Sequence, residues 1–117
     1  MILKCSHRQQ NQVHIVTLQG HLVADTLEAA QQVVYPLLED QTAQALLINC
    51  EALHFIDSTG TGFFTTVYKR CQKRHLALMF CDVSKKYMQL LRMLNLHQLF
   101  KIAATEAEAL QTLQENR

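Results

Sequence analysis

The sequence predicts an α/β fold: one mostly parallel mixed β-sheet with an antiparallel N-terminal edge and four α-helices, in the order β-β-α-β-α-β-α-β-α. Three observations carry this expectation. Residues 46–50 and 76–81 are apolar runs of strand length, as expected of strands buried on both faces in a parallel sheet. Each is followed by apolar residues at helical spacing, and the chain opens on β-rich segments ending at a glycine.

Val13-His14-Ile15-Val16-Thr17-Leu18 reads as a strand that stops at the turn residue Gly20, and residues 2–6 pair with it as a hairpin. Asp25 followed by Glu28 gives a capping-box-like helix start, and Leu27, Ala30, Val33, Val34, Leu37 and Leu38 repeat at three and four. This helix should run to about Asp40, with a kink or an early end near Tyr35, because Pro36 lacks an N–H and its ring clashes with the preceding turn. The strand at 46–50 leads by one short loop to a second helix opening at Ser58, with Phe63, Phe64, Val67, Tyr68 and Cys71 on its inner face. After the strand at 76–81, Ser84 caps a third helix carrying Tyr87, Leu90, Leu91 and Leu94, which Asn95 closes in a left-handed turn. A short strand at 99–103 follows, and Thr105-x-x-Glu108 opens a final helix with Ala109, Leu110 and Leu113 inward.

At 117 residues and 49% hydrophobic, the chain fits a single domain, 1–117. A formal net charge of +1 gives no electrostatic case for nucleic acid or an anionic membrane, so a protein partner or a small ligand is expected. Cys5, Cys50, Cys71 and Cys81 show no C-x-x-C spacing and read as small buried thiols. With no signal-peptide pattern and no membrane-spanning run, the expected compartment is the reducing cytoplasm.

The most informative stretch is His54-Phe55-Ile56-Asp57-Ser58-Thr59-Gly60-Thr61-Gly62, where hydroxyls and glycines meet a helix start. Such a start offers unpaired N–H groups and the positive end of the peptide dipoles to carboxylates, hydroxyls or phosphates. The simpler role for Asp57 or Ser58 is an N-cap. A serine hydrolase is disfavoured, for there is no G-x-S-x-G elbow and no triad. Gly60-x-Gly62 is half of a dinucleotide fingerprint, but position 65 is Thr. The six histidines, His7, His14, His21, His54, His75 and His97, lack metal-ligand spacing and are expected in loops or on the surface. Lys69, Arg70, Lys73 and Arg74 read as a solvated helix face, and one or both of Met88 and Met93 as exposed.

The pattern I-N-C-E-x-L-x-F-I-D-S-T-G-x-G at 48–62, with Gly20-x-Leu22 before it and L-x-x-L-F-K-I at 96–102, resembles the STAS-domain anti-sigma factor antagonists of bacteria. The resemblance implies a STAS-like fold and a non-enzymatic protein-binding switch with no cofactor or metal. In that family the serine after the aspartate, here Ser58, is phosphorylated by a partner that is both serine kinase and anti-sigma factor; Thr59 is the fallback. Unphosphorylated protein binds that partner and frees sigma factor, and a phosphatase resets the switch. The resemblance further implies Asp57, Gly60 and Gly62 as site-shaping residues and His21, Val23, Asp25, Ser58, Thr59 and Thr61 as a partner-facing surface, on a monomer or weak dimer. The family commonly carries Leu where Thr61 stands and an acid where Val23 stands, which re-tunes that surface. The alternative is a constitutive STAS subunit of a lipid-transporting ABC complex or a stressosome-like assembly, with no phosphorylation.

Overall fold

A computed structural model describes residues 2–115. The elements run β1 (Leu3–Gln10), β2 (Val13–Leu22), α1 (Leu27–Leu37), β3 (Ala45–Asn49), β4 (Leu53–Ile56), α2 (Ser58–Lys73), β5 (Ala77–Cys81), α3 (Lys85–Met93), β6 (Lys101–Ala103) and α4 (Glu106–Glu115), with 3₁₀ turns at Ala24–Thr26 and Leu96–Gln98. The sheet order is β1-β2-β3-β5-β6; β1 is antiparallel to β2 and the other pairings are parallel. The mixed α/β architecture is therefore the one expected, with one strand more than the sequence suggested.

That strand is β4. One edge of β2 serves two successive parallel partners: Val13 to Thr17 pair with β3, and Gly20 to Leu22 pair with β4. The register shifts between Gly20 and His21, and Gly20 sits at φ +110°, a conformation open to glycine. A side chain there would also strike Ile2 O at 2.3 Å. Gly20 is thus a bulge that keeps β2 running to Leu22, where a turn had been expected. The segment before Ser58 is correspondingly not a plain loop.

Period-two alternation divides the core between the faces of the sheet. Val16, Leu18, Leu46, Ile48 and Phe80 face α1, α2 and α3, where Val34, Phe64, Val67 and Leu91 complete the larger cluster. Val13, Ile15, Ala45, Leu47 and Met79 face the other way and are covered by Ala109 and Leu113 of α4. Cys50, Cys71 and Cys81 are buried free thiols and Cys5 is half-buried; burial pushes Cys50 up to about 12 and Cys71 to about 11, so both stay protonated at neutral pH.

Helix ends follow local chemistry. The Ser84 hydroxyl accepts from Tyr87 N at 3.1 Å, Thr105 accepts from Glu108 N at 3.2 Å, and Asn95 adopts φ +59° beyond α3. The start of α1 departs from expectation: Asp25 is exposed and makes no cap, and the buried Thr26 hydroxyl instead accepts from Val23 N at 3.0 Å and donates to His21 O at 2.6 Å. Pro36 lies within the last turn of α1, which ends one residue later at Leu37, short of Asp40 and close to the early end expected near Tyr35. Without an N–H, Pro36 cannot close the bond to the carbonyl four residues back, and the helix stops one residue beyond it.

His14 is a further correction to the surface reading of the histidines. It lies in β2 at 4% exposure, its Nε2 2.7 Å from Asp40 Oδ2 and its Nδ1 2.8 Å from His7 Nε2. Two neutral imidazoles satisfy this chain if His7 Nε2 donates to His14 and His14 Nε2 donates to Asp40. Among the described residues, no helix is long and apolar enough to cross a membrane.

Candidate functional site

Ser58 is the first residue of α2, directly beyond the carboxyl end of β4, and its side chain is exposed. The residue before it fixes that placement. Asp57 is in extended backbone (φ −100°, ψ −172°), and its Oδ1 accepts from Gly60 N at 3.0 Å, so the N-cap is the aspartate and the serine hydroxyl is left unengaged by capping. Asp57 Oδ2 also receives Ala24 N at 3.4 Å, a long contact that ties the turn after β2 to the start of α2.

The same two segments meet through the backbone. Asp57 N donates to Leu22 O at 3.3 Å, and Gly60 is buried against that carbonyl, where a Cβ would come within 2.5 Å of it. Gly60 therefore has a steric reason to be glycine. Gly62 has none, since a Cβ there would meet nothing within 4 Å; its expected site-shaping role is not one of close approach. Its backbone O accepts from Thr66 Oγ1 at 3.1 Å.

This clamp gathers His21, Asp25, Ser58 and Thr59 at one end of the sheet, with Asp25 and Ser58 exposed and His21 and Thr59 half-buried. The His21 ring lies 6.0 Å from the Phe55 ring, and its Nδ1 is buried without a partner. Two expected members of the surface are absent from it. Val23 is 5% exposed and Thr61 6%. Val23 turns into the core, and the Thr61 hydroxyl lies 2.8 Å from Tyr87 OH and donates to Asp57 O at 3.2 Å. Both shape the site from beneath. Burial pushes the Tyr87 phenol up to about 12, against the opposing effect of its bond to Thr61.

Chemically the site is a bare hydroxyl at a helix N-terminus. The basic residues in the last turn of α2 are Arg70 and Lys73, remote from Ser58, so the positive end of the helix is what the fold itself offers to an anion there. Arg70 is engaged over the Tyr35 ring at 4.0 Å, and Arg74 pairs with Glu39 at 2.9 Å. A cap at Asp57 or Ser58 was readable from neighbouring residues, and it is Asp57. The Thr61–Tyr87 and Asp57–Ala24 links join residues too far apart in sequence for any local pattern to signal them.

Comparison with known proteins places these observations. The family model described as the STAS domain matches residues 4–109. An anti-sigma F factor antagonist of Paenibacillus polymyxa is 25% identical over 114 residues, covering 97% of each chain. Among solved structures, an anti-sigma factor antagonist from Mycobacterium paratuberculosis superposes with a TM-score of 0.87 at 18% identity, covering 97% of this chain and 95% of that one. The Bacillus cell fate determinant SpoIIAA in its phosphorylated form gives a TM-score of 0.74 at 17% identity, over 96% and 99% of the two chains. At such identities the two structural likenesses speak to the fold.

Proposed function

Because the chain belongs to the STAS domain family, we propose that it is an anti-sigma factor antagonist: a non-enzymatic binding protein whose hold on an anti-sigma factor is set by phosphorylation of Ser58. In the unphosphorylated state it binds a partner that is both anti-sigma factor and serine kinase, and sigma factor is released. A phosphatase restores that state. The observation that carries the reading is the position of Ser58, exposed at the first residue of α2 while Asp57 does the capping. The hydroxyl is free for a kinase, and modification breaks no hydrogen bond on which α2 depends.

Phosphorylation adds about −1.5 to −2 charges and three acceptor oxygens. The α2 N-terminus offsets part of that charge within the molecule, by roughly 0.3–2 kcal/mol. An interface built around a neutral hydroxyl would meet that charge and bulk with nothing on the partner's side to compensate them. The partner-facing surface then comprises His21, Asp25, Ser58 and Thr59 at the gathered end of the sheet, with Thr59 the alternate acceptor. The reading is supported by a relative named an anti-sigma F factor antagonist, from Paenibacillus polymyxa, and by a protein of this fold, SpoIIAA, whose structure is known in a phosphorylated form.

The test is direct. Ser58→Ala should fold, resist phosphorylation and hold the copurifying partner constitutively, and Ser58→Glu should bind it weakly. Equal affinity of the two variants for that partner would remove the switch and leave a constitutive subunit.

A further inference from the structure

A second concave site lies between β4 and α3. It is a half-open cleft of about 260 Å³ with mostly apolar walls, among them Leu53 and Ile56 from β4 and Leu90 from α3. Two of its lining side chains stand far into solvent, Phe55 at 47% and Met93 at 81% exposure. Exposed apolar surface around a formed cleft marks a place where something apolar is meant to lie.

The charge of the cleft selects the occupant. Lys86 and His54 line it, and no carboxylate does. Its other ionisable groups, the Cys50 thiol and the Tyr87 phenol, are held protonated by burial, both pushed up to about 12. At neutral pH the wall therefore carries positive charge at Lys86 beside apolar surface. The half-open cleft of about 260 Å³ has room for one unbranched chain lying along its apolar wall.

We propose that this cleft binds a medium-chain fatty carboxylate, its alkyl chain along Leu53, Ile56 and Leu90 beneath Phe55 and Met93, and its carboxylate at Lys86. The apolar contacts supply affinity through buried area, and the charge-assisted hydrogen bond from the ammonium supplies the choice of head group. This assignment is independent of Ser58 phosphorylation.

The experiment is a titration of the isotopically labelled full chain with decanoate, followed by amide NMR shifts, with decyltrimethylammonium as the matched cation. Decanoate should give saturable shifts concentrated at residues 53–56 and 85–90, the cation should bind about tenfold more weakly, and Lys86→Glu should weaken decanoate about tenfold. Lys86 is exposed, so that variant should fold as the parent does. Absence of saturable shifts below the micelle-forming concentration, or equal affinity for the cation, would overturn the proposal. So would cleft shifts that grow with protein concentration alone, which would make a second copy of the chain the occupant.

Discussion

Gly60 and Gly62 stand two residues apart on α2 and meet opposite surroundings. A methyl at Gly60 lands 2.5 Å from the Leu22 carbonyl, a backbone atom that can move only if the end of β2 moves. Gly60→Ala is therefore expected to destabilise the fold by about 1–3 kcal/mol, in the range of other overpacking changes. Gly62→Ala meets open space in a helix interior and should stabilise by about 0.5–1 kcal/mol. Urea denaturation of the two variants beside the parent checks both signs at once; a neutral Gly60→Ala would mean that the backbone contact yields freely. At this scale the sequence was partly legible. A cap at Asp57 or Ser58 could be recognised because a cap and its donor lie three residues apart, and the structure gives it to Asp57. The burial of Val23 and Thr61 could not, because it depends on the core and on Tyr87, 26 residues beyond Thr61.

At the scale of elements, β4 shows where local reading stops. Its four residues Leu53–Ile56 are short and mixed in burial, and what makes them a strand is the continuation of β2 through the Gly20 bulge more than thirty residues earlier. The longer apolar runs of β3 and β5 were legible because they are buried along nearly their whole length. His14 was misread for a related reason: its burial is made tolerable by Asp40, which arrives from the segment after α1. That segment gives the hairpin a pH-dependent tie. The Thr42 hydroxyl and N–H, and then His14, favour the charged form of Asp40 and lower its carboxyl to about 2. A depressed carboxyl contributes stability above its unfolded value near 3.8, and that contribution is lost as pH falls through about 2. The His7 imidazole is shifted down by burial and by His14, so its neutral form is favoured in the fold and stability is likewise lost on acidification below about 6.5. Asp40→Asn should therefore flatten the acid limb of the stability profile between about pH 4 and 2, read by thermal melts across pH. An unchanged limb would place the acid sensitivity elsewhere.

At the scale of the whole molecule, the proposed switch at Ser58 requires no change of fold. The larger core sits beneath α1, α2 and α3, and the exposed Ser58 side chain contributes nothing to it. The β2 to α1 turn and the start of α2 are held together by Leu22, Asp57 and Gly60, independently of the serine hydroxyl. On this account the phosphate acts at the surface it creates, by charge and bulk toward a partner, and the fold beneath is unaltered. The overall architecture was legible from alternating strand and helix patterns, whereas the meeting of His21, Asp25, Ser58 and Thr59 was legible only through the family resemblance, since it depends on the pairing of β2 with β4 and on the contact of Ala24 with Asp57.

The measurement that bears most directly on this account is site-resolved phosphopeptide mass spectrometry on the protein isolated from its native cells, comparing the fraction bound to copurifying chains with the free fraction. Phosphate on Ser58 should be abundant in the free fraction and nearly absent from the fraction bound to a kinase-like partner. Equal occupancy in the two fractions, or an unmodified Ser58 under every growth stress alongside stable transporter or scaffold subunits, would contradict it.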